Sequence, residues 1–280
     1  MIDLAIAYRI YPGVSKTPAV FATDKYKLSA MCLRSFKEAL GYLRVKIWAL
    51  LDNCPAEYEE LFKSHFSDDE LEIVRLTGVG NLSTFSLQLD LLTRQTDAAL
   101  VYFAEDDYFY LPDALVKMVA FARAHRDVDF VTPYDHPDSY NESSRYEKHY
   151  VTDFDDRHWR TASSTCLTFL AQRRSLISTA SIFRTYSKGN MDCPIWLALT
   201  EKARLMDPRI HWHDAFRFKT WLKTWRWGFS QILFRPSFRL WSPVPSIATH
   251  MESQSLSPVV DWHAHFSRAT RQQIEQKIEL

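Results

Sequence analysis

Glycine is scarce in this 280-residue chain, with 6 present where average usage of roughly 7% would give about 20. The shortage removes two designs for binding nucleotides. A dinucleotide fold needs G-x-G-x-x-G and a P-loop needs G-x-x-x-x-G-K-[ST], because backbone must approach phosphate where a Cβ would collide. Gly78-Val79-Gly80 comes nearest, but Ser83 stands at the third glycine position. Any phosphate bound here must be neutralised by a metal or by side chains. An excess of one charge is also missing. The 34 Lys and Arg balance 34 Asp and Glu, which argues against a whole-protein nucleic-acid binder. Cys32, Cys54, Cys166 and Cys193 lack C-x-x-C spacing, so zinc-ribbon and thioredoxin chemistry are unsupported and a reducing compartment suits them. No apolar run approaches the ~20 residues of a membrane span. The first residues, MIDLAIAYRIYPG, lack a charged leader and long apolar core. The expectation is a cytoplasmic protein.

What is present is an alternation of short apolar runs with longer helical patterns, the signature of a mostly parallel sheet flanked by helices. Strands are expected at Asp3 to Ile10, Val45 to Asp52, Leu71 to Leu76, Ala98 to Ala104 and Phe130 to Thr132. Helices are expected at Lys27 to Leu43, Ala56 to His65, Ser83 to Gln95 and Leu111 to Arg126, the last with Pro112 in its first turn. After Tyr134 a polar stretch rich in turn residues reads as a long surface loop. Thr165 to Ala171 reads as a returning strand, with helices at Arg174 to Tyr186 and Pro194 to Lys202. Aromatics number 40, and nine of them lie between Phe216 and Trp241 among six basic residues and no acid. There Phe218, Leu222, Trp225, Phe229 and Ile232 follow helical spacing, which predicts a basic amphipathic helix. Such a helix suits an anionic membrane surface or a lipid-diphosphate acceptor, and equally a place on the core.

The apolar run from Ala98 to Ala104 ends abruptly in Glu105-Asp106-Asp107. In open α/β sheets the ligand crevice lies outside the carboxyl ends of the strands, so clustered carboxylates there read as a divalent-cation site, and oxygen donors suit magnesium or manganese. Alone, such a triplet is also an ordinary solvated turn.

Phe103-Ala104-Glu105-Asp106-Asp107, followed by Leu111-Pro112-Asp113, resembles the Glu-Asp-Asp form of the DxD motif of GT-A fold nucleotide-sugar glycosyltransferases, family 2-like. The resemblance covers about residues 3 to 262. It implies that Asp107 ligates Mn2+ or Mg2+ bridging the donor diphosphate, that Glu105 faces the ribose and that Asp106 assists. Tyr8 and Arg9, at the end of the first strand, fall where the family places donor contacts. Asp52, closing the second, falls where an acid often meets the base. Asn81, with Ser83 and Thr84, is similar to the family's nucleotide-binding turn. Taken singly, Asn81 and Ser83 read as helix caps and Asp52 as a turn residue. Asp192, in Gly189-Asn190-Met191-Asp192-Cys193-Pro194, resembles the acceptor-side carboxylate that serves as base in inverting members, although the family more often has Glu-Asp there. Its alternative is an N-cap. His250 occupies the place of the late histidine that returns to the cation. His211 and His213 form a rival H-x-H pair for zinc, without convincing further ligands.

Together these readings predict a GT-A-like α/β enzyme. Residues 1–134 form the nucleotide-sugar half, 135–262 the aromatic, helical acceptor and catalytic half, and 263–280 a helical tail. It transfers a sugar from a nucleotide-diphosphate donor, UDP-linked by preference, to a hydroxyl of a glycan or glycolipid, with inversion, in cell-surface polysaccharide synthesis. Peripheral membrane contact through Phe216 to Trp241 accompanies this reading. Its rivals are a nucleotidyltransferase with a carboxylate-bound metal and a non-catalytic sugar- or membrane-binding module.

Overall fold

The computed structural model describes residues 1–14, 17–140, 149–206 and 214–278. His211 and His213 lie outside the described residues. The first half alternates as its apolar periodicity predicts: β1 (Leu4–Ile10), α1 (Lys25–Leu40), β2 (Val45–Asp52), α2 (Ala56–Lys63), β3 (Leu71–Leu76), α3 (Gly80–Arg94) and β4 (Leu100–Glu105). A short β5 (Tyr108–Tyr110) follows, then α4 (Ala114–Ala124) and β6 (Phe130–Val131). Helix α4 starts later than expected, because Asp113 adopts φ 59° and the helix begins after it, leaving Pro112 outside.

The polar stretch after Tyr134 is not one long loop. It contains a hairpin, β7 (Val151–Phe154) and β8 (Arg157–Ala162). Its composition hides it, because one face is solvated and a single anchor does most of the burying: Trp159 stacks on Phe121 of α4 at 4.1 Å. Beyond it come β9 (Phe169–Gln172), α5 (Arg173–Phe183), α6 (Asp192–Thr200), α7 (Lys202–Leu205), α8 (Ala215–Phe234), β10 (Leu240–Val244), β11 (Ala248–His250) and α9 (Trp262–Ile278).

Nine strands form one sheet in the order β3-β2-β1-β4-β9-β6-β10-β8-β7, and strands of both chain halves take part. Pairings β3-β2, β2-β1, β1-β4 and β6-β10 are parallel, whereas β9 and β8 run against their neighbours. The fold is thus α/β with a mostly parallel sheet flanked by helices. Period-two alternation splits β1 between two cores. Leu4, Ile6, Tyr8 and Ile10 pack with α1, α2 and α4, while Ala5 and Ala7 face the core formed with α3, α5 and α6. Aromatics fill both cores; in the second, Phe103 stacks on Phe169 at 4.6 Å and Trp196 meets Phe130, Phe169 and Phe183 edge-on.

Candidate active site

Chain order reverses at β1, which lies between β2 and β4, and the carboxyl ends of these strands open onto a cavity of about 580 Å³. A crevice at that switch point is where open α/β sheets bind ligands. Strand β4 ends at Glu105 and turns through Asp106 and Asp107 into β5, and each acid meets a different cationic or donor side chain. Arg9 stands beside Glu105 in the β1-β4 register and forms an ion pair with it. Lys25 Nζ lies 2.7 Å from Asp106, and His250 Nε2 lies 3.2 Å from Asp107. Thr168 Oγ1 donates to Glu105 at 2.7 Å. Arg9 also donates to the Asn81 side chain and, at 3.2 Å, to its carbonyl, and Asn81 Nδ2 donates to the Tyr186 hydroxyl at 3.0 Å.

These neighbours set protonation. Burial disfavours charge on Arg9 and Lys25, but Glu105 beside the first and Asp106 beside the second outweigh it and raise both pKa values. Burial also opposes ionisation of Asp107, yet His250, Lys25 and Arg9 hold its carboxyl well below the usual range. Asp106 goes the other way, pushed up by burial despite Lys25. It accepts from Tyr11 N and Ser29 Oγ, both at 3.4 Å, so its carboxylate ties the loop after β1 to α1.

His250 arrives through backbone pairing. Strand β11 lies antiparallel to β5 with His250 opposite Tyr108, and Met251 N donates to the Asp107 carbonyl at 2.8 Å. Its Nδ1 accepts from Glu252 N at 3.1 Å, which in a neutral ring leaves the proton on Nε2, facing Asp107. Asp107 Oδ1 is buried without a hydrogen-bond partner.

Two expected donor contacts are corrected. Tyr8 is buried between Phe36 and Phe62, each with its ring 5.2 Å away, because successive strand residues face opposite sides and Arg9 takes the site side. Asp52 lines the cavity, but its carboxylate is already engaged: Gly78 N and Val79 N donate to Oδ1 and Gly80 N to Oδ2, all at 2.8 Å. Gly78 and Gly80 adopt φ of 80° and 81°, which turns these N–H groups inward. The chain therefore builds an anion cradle and fills it with its own carboxylate.

A second cavity, of about 410 Å³, is lined by Asp192, His136, Cys166, Arg204 and Arg217 among others. Asp192 is the first residue of α6, with Met191 at the cap position, so the N-cap alternative does not hold. It accepts from Cys193 N at 2.8 Å, and no salt bridge reaches it among the described residues. Burial pushes its carboxyl up, and nearby Glu105 adds to the shift. The Cys166 thiol lines this cavity too: burial raises its pKa to about 12, and Asp192, Glu105 and Asp107 add to the shift.

Sequence reading missed Lys25, Thr168, His136 and the two arginines. Only Lys25 left a signal, since a lysine in the first turn of a helix opposes the helix dipole and calls for a nearby anion. Among the described residues no group of three or more His, Cys, Asp and Glu side chains could hold a metal alone. Asp107 and His250, 3.2 Å apart, are a pair and fall short of that number.

No protein-family model and no curated protein matches the sequence. Among solved structures the chain is similar to Staphylococcus aureus TarS 1-349 in complex with UDP-GlcNAc, at 11% identity and TM-score 0.45, covering 67% of this chain and 53% of that one. It is also similar to a putative nucleotide-diphospho-sugar transferase from Desulfovibrio desulfuricans, at 14% identity and TM-score 0.43, covering 83% and 97%. The mannosyltransferase PcManGT from Pyrobaculum calidifontis, in complex with GDP-Man and Mn2+, matches at 16% identity and TM-score 0.33, covering 46% and 34%. The match spans about half the length of TarS 1-349. At TM-scores below 0.5, function rests on the side chains of this chain rather than on those neighbours.

Proposed function

We propose that the protein is a metal-dependent, inverting glycosyltransferase that moves a sugar from a nucleotide-diphosphate donor, UDP-linked by preference, to a hydroxyl of a glycan or lipid-linked acceptor. The observation carrying this reading is a pair of cavities whose carboxylates are shifted in opposite directions. One, at the strand ends, holds Asp107 kept anionic beside cations, and the other holds a half-buried carboxylate, Asp192, that no salt bridge reaches among the described residues.

Charge explains the need for a metal. Three carboxylates, Glu105, Asp106 and Asp107, face two permanent cations, Arg9 and Lys25. A diphosphate entering here needs further positive charge, and the glycine cradle is filled by Asp52. Asp107 fits Mn2+ or Mg2+, since its Oδ1 is a buried orphan that a cation would satisfy; His250 would join it through Nε2 only after its proton shifts to Nδ1 and the bond from Glu252 N is given up. When bound, the cation supplies charge neutralisation of the leaving diphosphate.

The protein's own residues do the rest. Arg9, backed by Asn81, and Lys25 present fixed positive charge to the donor phosphates. Glu105, held by Arg9 and Thr168, faces the donor ribose. Asp192 takes the proton from the acceptor hydroxyl as its oxygen attacks the anomeric carbon and the carbon–oxygen bond to diphosphate breaks; the raised pKa of Asp192 suits that task. A coupled assay of nucleoside diphosphate release from a panel of UDP- and GDP-sugars tests the reading. Release that requires Mn2+ or Mg2+ and stops with EDTA is expected. Release unaffected by EDTA, or none from any donor, contradicts it.

A further inference from the structure

Helix α8 turns its less apolar side inward. Its buried residues are Thr220, Thr224, Gly228, Gln231 and Ile232, and a Cβ on Gly228 would meet Ala198 Cβ of α6 at 2.6 Å, so the small residues let the two helices approach closely. The expected core stripe is split: Leu222 is 49% and Phe229 53% exposed, joined by Leu233 at 42%, whereas Phe218 and Trp225 are half-buried and Ile232 is buried. Lys219, Lys223 and Arg226 share or flank this outward face at helical spacing. Among the described residues they form no ion pair with an acid, Arg226 lying over the Trp227 ring. The whole helix contains no acid. Exposed apolar side chains and cations on one solvent-facing helix face match the chemistry of an anionic bilayer interface, while Trp221 and Trp225 anchor the other side by donating to the Leu205 carbonyl. No helix among the described residues is long and apolar enough to cross a membrane, which leaves a surface mode of attachment.

We propose that α8 is an interfacial helix that docks the protein on an anionic phospholipid bilayer through Leu222, Phe229 and Leu233, with Lys219, Lys223 and Arg226 meeting the headgroups. Phe216, Arg217 and Thr220, at its start, line the cavity that holds Asp192. Docking therefore brings that cavity beside the bilayer surface. Resting on the reading above, this makes the acceptor a hydroxyl carried on a membrane lipid.

Co-sedimentation of the full chain with vesicles of phosphatidylglycerol and phosphatidylcholine, against vesicles of phosphatidylcholine alone, tests docking without recourse to activity. Binding to the anionic vesicles only is expected. Each basic residue contributes about fivefold, so combined Lys219→Gln, Lys223→Gln and Arg226→Gln lowers the partition coefficient about 100-fold. Leu222→Ser with Phe229→Ser lowers it about tenfold or more, at unchanged circular dichroism. Equal binding to both vesicle types, or binding indifferent to both variants, overturns the proposal. So does a concentration-dependent dimer in sedimentation velocity that Phe229→Ser abolishes, since the face then belongs to a second copy. Docking without sugar transfer would leave the helix assignment standing and refute the enzymatic reading instead.

Discussion

The two cavities use carboxylates in opposite ways. At the strand ends, Asp107 is drawn below its ordinary pKa by His250, Lys25 and Arg9, which overcome burial. In the second cavity the half-buried Asp192, which no salt bridge reaches among the described residues, is pushed above its ordinary value by desolvation and by Glu105. Environment alone thus separates an acid kept anionic from one that takes up a proton more readily than an ordinary carboxylate.

The contrast breaks most sharply at Asp107. Asp107→Asn keeps the shape but removes the charge, and turnover is expected to fall about 10³-fold or more, the loss of several kcal/mol of metal-borne stabilisation. Metal-dependent donor binding should vanish with it, as read by calorimetry. Asp192→Asn should cost about 10²-fold or more in kcat while leaving donor affinity unchanged, so equal damage to both would erase the distinction between cavities. The pH profile sharpens this point. Because the pKa of Asp192 is raised, kcat/KM should fall as pH drops through that value and the base becomes protonated, and the acid limb should flatten in the Asn variant.

Smaller effects concern stability. Asp52→Ala leaves three inward N–H groups without their acceptor and is expected to cost about 2 kcal/mol, read by urea unfolding. Asp3 tests the amino end of the central strand β1, where it binds Arg123 at 2.8 Å and Arg44 at 3.3 Å. The Arg123 hydrogen bond lowers its pKa from 3.8 to about 2 against some desolvation. Its contribution is therefore complete above pH 3.8 and lost as pH falls toward 2. With both arginines largely in solvent, Asp3→Asn should cost about 1 kcal/mol or less.

Sequence periodicity located β2 and β3 to the residue and α1 to α3 within a few residues, because long amphipathic segments announce themselves. It placed Glu105-Asp106-Asp107 at a strand end, where the chain does turn. It could not see β7 and β8, whose exposed residues look like loop, nor Lys25, whose role depends on a partner 81 residues away in sequence. It also named Tyr8 and Arg9 together, although pleating sends one into the core and the other to the cavity. In α8 the apolar spacing was real, but the packed side was chosen by close approach at Gly228 rather than by hydrophobicity. Glycine scarcity pointed toward charge-based phosphate binding for a reason visible only in three dimensions: two of the 6 glycines build a cradle, and Asp52 occupies it.

The central claim is that the strand-end cavity binds a nucleotide sugar through a metal held by Asp107. Thermal unfolding with UDP-GlcNAc and other nucleotide sugars, with Mn2+ or with EDTA, tests it most directly. At a donor concentration 100-fold above Kd, linkage gives about 2.7 kcal/mol, a rise in Tm of about 5 °C or more for a chain of this size. The account predicts that rise for at least one donor, only with Mn2+ and not in Asp107→Asn. No rise with any donor, or the same rise with EDTA or in Asp107→Asn, would contradict it.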